Sequence, residues 1–363
     1  MRVGTPKESK NREARVGLTP SGARELVDAG HEVMIEANAG AAIGFSDEDY
    51  TQVGCRIAPT ADALFDASDL IIKVKEPQPI EIGMLKPRHT LFTYLHLAPD
   101  PEQANGLARS GATCIAYETV TDQHGRLPLL TPMSEVAGRL SIQAGAKHLE
   151  IANGGSGVLL GGVTGVAPAK VTVIGGGVAG LNAAQMAVGL GANVTVLDRS
   201  TDRLRELNTV FDGRARTLFS TASAVEDSVG EADLVVGAVL LPGAAAPKIV
   251  SRDQIASMRP GSVVVDIAID QGGCFETSRP TSHDEPTYTV DGVTHYCVTN
   301  MPAAVARTST EALTNATLPF ALQLANLGIE RAVAADPYLA AGLNVQGGEI
   351  VHPEVRESLN TST

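Results

Sequence analysis

The chain has few cysteines, no surplus of positive charge and no unbroken apolar run long enough for a membrane helix. Its four cysteines, Cys55, Cys114, Cys274 and Cys297, lie far apart and make no C-x-x-C pair. That excludes a disulfide framework or zinc site as the first expectation and points to reduced thiols in a cytoplasmic protein. The formal net charge is −13, which argues against a nucleic-acid or anionic-membrane surface. The most apolar stretch, around 171–197, is broken by glycines, Asn182 and Gln185 and reads as buried fold rather than a membrane span. Residues 1–10 are charged at once, without a signal-peptide pattern.

What the chain does have is glycine and proline, 37 and 20 of them among 363 residues. These suit many short turns, and the length favours two domains. The stretch VTVIGGGVAGLNAAQMAVGLGANVTVLD (171–198) reads as strand, tight turn, helix, strand. Gly175, Gly177 and Gly180 give G-x-G-x-x-G at the end of the first strand. The first glycine permits the turn, the second lets a pyrophosphate approach the backbone, and the third lets helix and strand pack closely. Val178 and Ala179 open a helix whose free N–H groups face that phosphate. Asp198 closes the second strand, where a carboxylate accepts from the adenosine ribose hydroxyls and repels a 2′-phosphate. The expected cofactor is therefore NAD rather than NADP, with Arg199 next door able to soften the preference.

Elsewhere, strands are expected at Arg2–Gly4, His31–Glu36, Asp69–Lys75, Thr90–His96 and Thr113–Tyr117. Lys7, Lys10, Arg12 and Arg15 share a polar loop with Glu8 and Glu13. Thr19-Pro20 and Asp100-Pro101 read as helix starts. Thr131-Pro132 starts a longer helix, to about Ala152, and a glycine-rich loop follows (154–165), either a plain surface loop or a lid. Later strands fall near Arg216–Ser220, Asp233–Val239, Ser262–Ile267 and Tyr296–Thr299. Thr308-x-x-Glu311 reads as a capping box before a helix toward Gly328, with a kink at Pro319. The remaining tail reads as helix, then polar loop.

The two halves repeat. ARELVDAGHEVMIE (23–36) parallels AAQMAVGLGANVTVLD (183–198); FDASDLIIKVKEP (65–77) parallels VGEADLVVGAVLLP (229–242); LKPRHTLFTYLH (85–96) parallels MRPGSVVVDIAID (258–270). The pattern predicts an α/β protein of two doubly wound, Rossmann-like domains with a cleft between them. The first unit lacks the glycine fingerprint and is left to hold a substrate.

Ligands on open α/β sheets sit at the carboxyl ends of strands. Lys75 and His96 end strands of the first unit, and Asp270 follows the equivalent strand of the second. Each has a plainer reading: a solvated strand end for Lys75, a hydrogen-bonded structural histidine for His96, a turn former for Asp270. Arg15 reads either as a solvated loop arginine or as a bidentate clamp on a carboxylate. The other histidines have no spacing that suggests a metal, and Ser156, in G-G-S-G, lacks the nucleophile-elbow spacing.

RVGTPKE, RVGLTP, KVKEP, FTYLHLA, IGGGVAG, VVDIAIDQGG and VTNMPAAVARTST together resemble the bacterial L-alanine dehydrogenase family over essentially the whole chain. Some of these motifs are shared with the nucleotide-binding subunit of proton-translocating transhydrogenase. The resemblance implies a discontinuous substrate domain, residues 1–128 and 307–363, around an NAD domain, 129–306. It implies that Arg15 and Lys75 hold the substrate carboxylate, that His96 is the acid/base, and that Asp270 assists proton transfer beside the nicotinamide. Ser134 would contact the pyrophosphate, and Asp198 the ribose. Arg203, Ser220, Val239, Leu240, Ile267, Asn300, Met301 and Pro302 would line the remaining cofactor surroundings. The implied reaction interconverts L-alanine with pyruvate and ammonia using NAD, in a homo-oligomer that is usually a hexamer. A soluble transhydrogenase subunit and a non-catalytic NAD-binding sensor are the alternatives.

Overall fold

In the computed structural model, which describes residues 1–239 and 246–361, the chain clusters into two units. One comprises Met1–Met133 and Val305–Thr363, the other Ser134–Ala304. The strands in chain order are β1 (Arg2–Thr5), β2 (Glu32–Glu36), β3 (Arg56–Ala58), β4 (Leu70–Ile72), β5 (Thr90–Thr93) and β6 (Thr113–Ala116). They continue with β7 (Lys170–Ile174), β8 (Asn193–Asp198), β9 (Ala215–Phe219), β10 (Leu234–Gly237) and β11 (Val263–Asp266). Last come β12 (Thr287–Val290), β13 (Val293–Tyr296), β14 (Leu343–Gln346) and β15 (Glu349–Ile350).

The first unit's sheet runs β15-β14-β6-β5-β4-β1-β2-β3 and the second's β12-β13-β11-β10-β7-β8-β9. From β3 to β6, and from β9 to β13, every pairing is parallel. Beyond β6 and beyond β13 comes an antiparallel strand, β14 and β12 respectively. The sequence repeat is therefore a repeat of topology: two doubly wound sheets, each reversing strand order beside its first strand, β1 or β7. That reversal is where such sheets bind ligands.

Local chemistry explains the elements. The Thr19 hydroxyl accepts from the Gly22 N–H at 3.0 Å and Pro20 takes the first helical position, so helix Pro20–Asp28 starts there. Gly30, at φ +88°, turns the chain into β2. Helix Thr131–His148 meets helix Val178–Gly189 through Gly138, where a Cβ would lie 2.2 Å from the Ala179 carbonyl oxygen. The first core gathers Leu64, Phe65, Ile71, Leu91, Leu107 and Val345. The second gathers Ile174, Leu197, Val229, Val235, Val264 and Phe275. Each such side chain contributes about 1.5–3 kcal/mol by leaving water.

Four expectations need correction. The strand placed at Tyr296–Thr299 is β13, four residues long and ending at Tyr296. Asp291 and Gly292, at φ +50° and +81°, form the two-residue turn that pairs it with β12. The helix begins at Ala306 rather than after Thr308 and runs through Pro319 to Leu327, so Thr308-x-x-Glu311 is no capping box; Glu311 instead pairs with Arg307. The tail contains β14 and β15, joined at Gly347-Gly348, before a closing helix Pro353–Thr361. The helix from Thr131 stops at His148, and Ile151–Asn153 is a separate 3₁₀ turn.

Candidate active site

In the first unit, the carboxyl ends of β4 and β5 deliver charged side chains to the sheet edge where strand order reverses. Lys73-Val74-Lys75 continues the β4 ladder: the Lys73 N–H donates to the Phe92 carbonyl, and the Tyr94 N–H to the Val74 carbonyl. Lys73, which the sequence reading passed over, is fully buried. Its ammonium donates to Glu8 at 3.1 Å and to Glu81 at 2.7 Å. Burial works against its charge, but the two carboxylates outweigh that and raise its pKa. Glu8 also accepts from the Val74 N–H at 2.7 Å, which ties the loop 7–15 to the end of β4. Lys75 keeps 12% of its side chain exposed, with its ammonium 4.0 Å from Glu76. Its carbonyl accepts from the Thr93 hydroxyl at 2.9 Å, so it sits beside the end of β5.

Arg15 is not a solvated loop residue; it is 2% exposed. Its Nε and Nη2 donate to the two oxygens of Glu13 at 2.7 and 2.6 Å, and Nη1 stands 3.1 Å from the Met133 sulfur. Burial opposes its charge, yet Glu13 raises its pKa. Tyr94, whose phenol donates to the Leu129 carbonyl at 2.6 Å, feels the Arg15 charge and stacks on His96, ring centroids 5.8 Å apart and planes within 5°. Burial raises the Tyr94 phenol pKa. His96 itself is 44% exposed and has φ +50°, an uncommon conformation for a residue with a Cβ. Lys75 and His96 thus follow neighbouring strands, and the loop residue Arg15 acts on Tyr94, which stacks on His96.

In the second unit, Gly175 has φ +98° and donates its N–H to the Leu197 carbonyl at 2.8 Å. Among the described residues, a Cβ on Gly177 would meet nothing within 4 Å, which leaves the start of helix Val178–Gly189 open to a phosphate. The Asp198 carboxylate is already oriented: Oδ2 accepts from the Gly176 N–H at 2.7 Å and Oδ1 from the Ser200 N–H at 2.8 Å. Arg203 donates to the Gly176 carbonyl at 2.6 Å, and the Ser220 N–H to the Asp198 carbonyl at 3.0 Å. Val178, Ala179, Asp198, Arg203 and Ser220 therefore gather around the glycine turn. These residues fit the adenosine and pyrophosphate parts of a dinucleotide: an open Cβ position at Gly177, a helix start, and a carboxylate at the neighbouring strand's tip.

Val239 follows β10, and Leu240 lies outside the described residues. Ile267 opens the 3₁₀ turn Ile267–Gln271, in which Asp270 is exposed and accepts from the Asn300 N–H at 3.3 Å. Asn300, at φ +56°, leads into the 3₁₀ helix Met301–Val305, which carries Met301 and Pro302. Ser134 stands in the first turn of helix Thr131–His148.

The sequence reading missed Asp266. It is fully buried at the end of β11 and accepts from the N–H groups of Ala268 at 3.0 Å and Cys274 at 2.9 Å, and from the Ser278 hydroxyl. Burial raises its pKa against those hydrogen bonds. It fixes the turn that carries Asp270; the only signal in the sequence was an acid ending an otherwise apolar strand. All four cysteines are free and buried, and no helix of the described residues is long and apolar enough to cross a membrane.

Two family models match, alanine dehydrogenase/PNT N-terminal domain over residues 4–137 and alanine dehydrogenase/PNT C-terminal domain over residues 141–353. An alanine dehydrogenase from Halomonas elongata is 61% identical over 358 residues, 99% of this chain and 96% of that one. One from Mycolicibacterium smegmatis is 53% identical over 360 residues, 99% and 97% of the two chains. A solved L-alanine dehydrogenase superposes with TM-score 0.97 at 52% identity over 100% of both chains. A transhydrogenase from Sinorhizobium meliloti superposes with TM-score 0.84 at 26% identity, over 97% of this chain and 99% of that one. Matched by both domain models and by relatives of its own full length, the chain belongs to the alanine dehydrogenase/PNT family.

Proposed function

We propose that the chain is an NAD-dependent L-alanine dehydrogenase, interconverting L-alanine with pyruvate and ammonia. The observation that favours turnover over mere nucleotide binding is His96, held in a left-handed conformation on Tyr94, which feels the Arg15 charge, beside the strand end that carries Lys75. Identity to alanine dehydrogenases, 61% and 53% in two relatives, against 26% to a transhydrogenase, favours amino-acid chemistry over hydride exchange between nucleotides.

When bound, NAD would supply the acceptor for the hydride lost from the substrate Cα. The chain's residues do the rest. Arg15, fixed by Glu13, and Lys75 supply positive charge for the substrate carboxylate. Lys75 also stabilises negative charge that develops on oxygen as water adds to the oxidised substrate. His96 removes and returns protons at that centre as general base and general acid. Asp270 assists proton transfer. Gly175, Gly177 and Ser134 would hold the pyrophosphate, Gly180 lets the helix pack closely behind that turn, and Asp198 would hold the ribose. Arg203, Ser220, Val239, Leu240, Ile267, Asn300, Met301 and Pro302 complete the cofactor surroundings. The substrate domain is residues 1–128 and 307–363, and the NAD domain 129–306.

The enzyme is cytoplasmic and a homo-oligomer, a hexamer on the family resemblance. The exposed Ile151, Leu159, Val163 and Val166, on and beside the glycine-rich segment, support self-association. The reverse reaction is a direct test. NADH consumption that requires pyruvate and ammonium together supports the reading; NADH binding with no consumption under those conditions contradicts it.

A further inference from the structure

We propose that Glu118 is the positioning residue of His96, acting as a clamp on its backbone rather than as a partner of its ring. The inference rests on the proton-transfer role given to His96 above.

A residue with a Cβ pays for a left-handed conformation, so something must hold His96 at φ +50°. Among the described residues, the other non-glycine residues at positive φ are Arg12, Asn38, Asp212, Asp291 and Asn300, mostly the Asn and Asp that tolerate such turns. Histidine is likewise among the residues enriched there, yet the conformation remains uncommon, and Glu118 supplies the hold. Its Oε1 accepts from the His96 N–H at 2.6 Å, and both of its oxygens lie 3.2 Å from the Leu95 nitrogen. Two consecutive N–H groups therefore converge on one carboxylate, a charge-assisted arrangement stronger than bonds between neutral groups.

The same peptide is gripped from its other side. The Gln103 side-chain amide donates to the Leu95 carbonyl at 2.6 Å. Gln103 is itself buried, near the start of helix Pro101–Ser110, and its N–H donates to the capping Asp100 at 3.0 Å. The Leu95–His96 peptide is thus held by its N–H and by its C=O.

The ring is treated differently. Nδ1 of His96 stands 3.9 Å from Glu118 Oε1, beyond hydrogen-bond length, while the ring plane lies on Tyr94. The carboxylate's hydrogen bonds go to the backbone. Adjacent strands deliver the two partners: β5 leads to His96, and β6 leads into the 3₁₀ turn Tyr117–Thr119 that carries Glu118. Glu118 sets where the imidazole stands, and a misplacement of about 1 Å costs on the order of 10²-fold in rate.

The test compares kcat and KM for L-alanine, with NAD, in Glu118→Ala, Glu118→Gln, His96→Ala and the double variant Glu118→Ala/His96→Ala. NADH titration and thermal unfolding confirm that each variant folds. Glu118→Ala should lose about 10²-fold in kcat with KM little changed. Glu118→Gln, whose amide oxygen still accepts from the backbone, should keep most of the rate. The double variant should be no slower than His96→Ala, because the clamp works only through that ring. A Glu118→Ala loss that multiplies the His96→Ala loss, or one confined to KM, overturns the clamp. Wild-type kcat in Glu118→Ala beside a crippled His96→Ala overturns the clamp alone; wild-type kcat in His96→Ala removes the underlying role of His96 as well. If Glu118→Ala does not fold, Glu118→Gln and Gln103→Leu carry the test, and Gln103→Leu at full kcat contradicts the two-sided grip.

Discussion

A Cβ on Gly180 would lie 1.8 Å from the carbonyl oxygen of Gly175, whereas one on Gly177 would meet nothing within 4 Å among the described residues. The two glycines of one fingerprint therefore do different work. Gly180 lets the helix pack on its own preceding turn; Gly177 leaves its Cβ position open among the described residues. Gly180→Ala should destabilise the second unit by about 1–3 kcal/mol, the usual range for overpacking, and weaken NADH binding with it. Gly177→Ala should melt like the wild type yet bind NADH poorly. Thermal unfolding and NADH fluorescence titration separate the two, and wild-type NADH affinity in Gly177→Ala would remove the phosphate from that position.

Asp198 is held by the N–H groups of Gly176 and Ser200, so its charge is fixed at the tip of β8. Asp198→Asn keeps an acceptor for one of those donors and removes the charge. The ratio of kcat/KM for NADP to that for NAD should rise by about tenfold or more, since a hydrogen bond to a charged group contributes roughly 1.5–3 kcal/mol. An unchanged ratio would mean that cofactor choice is made elsewhere.

Lys73 and Lys75 are two residues apart and should fail in different ways. Removing the Lys73 ammonium leaves Glu8 and Glu81 buried against each other, so Lys73→Met should cost about 3–5 kcal/mol of stability. Lys75→Met should melt normally and lose kcat/KM for L-alanine. Urea unfolding and steady-state kinetics on both variants check this; equal melting with equal activity loss would refute the division.

His295 is buried with both ring nitrogens engaged, one 2.7 Å from the Thr277 hydroxyl and the other 3.0 Å from the Val293 carbonyl. Burial lowers its pKa, with the Val293 bond opposing and Arg279 assisting. The unfolded chain therefore binds this proton more readily, and the stability tied to neutral His295 is lost as pH falls from its unfolded pKa toward the lowered folded one. Glu8 and Asp266, whose pKa values burial raises, work in the opposite sense, so the clean observable is a difference. Between neutral and mildly acid pH, the urea midpoint of the wild type should drop further than that of His295→Gln. Parallel curves would contradict the assignment.

The second unit was legible because its chemistry is local. The fingerprint, its helix and the acid at the tip of β8 lie within one stretch, and Gly175, Gly177 and Gly180 occupy the geometry that their spacing implies. The repeat was legible because helix–strand units of similar length recur in order. The antiparallel strands β12, β14 and β15 escaped, although Asp291-Gly292 and Gly347-Gly348 are turn signals of the kind that joins hairpins. The polar groups behind the candidate residues escaped for a different reason. Glu8, Glu81 and Lys73 come from three separate segments, as do Glu118, Gln103 and His96, and no periodicity marks a charge that will be buried by a distant partner. Arg15 illustrates the same limit: in the sequence it is one of several loop cations, and only the fold encloses it with Glu13.

The central claim is amino-acid oxidation by this chain. The measurement is the appearance of NADH absorbance when purified protein is mixed with NAD and L-alanine at alkaline pH, with D-alanine, other L-amino acids and NADP in parallel. Turnover selective for L-alanine and NAD is the predicted result. A protein that binds NADH but forms none from any amino acid would contradict the account.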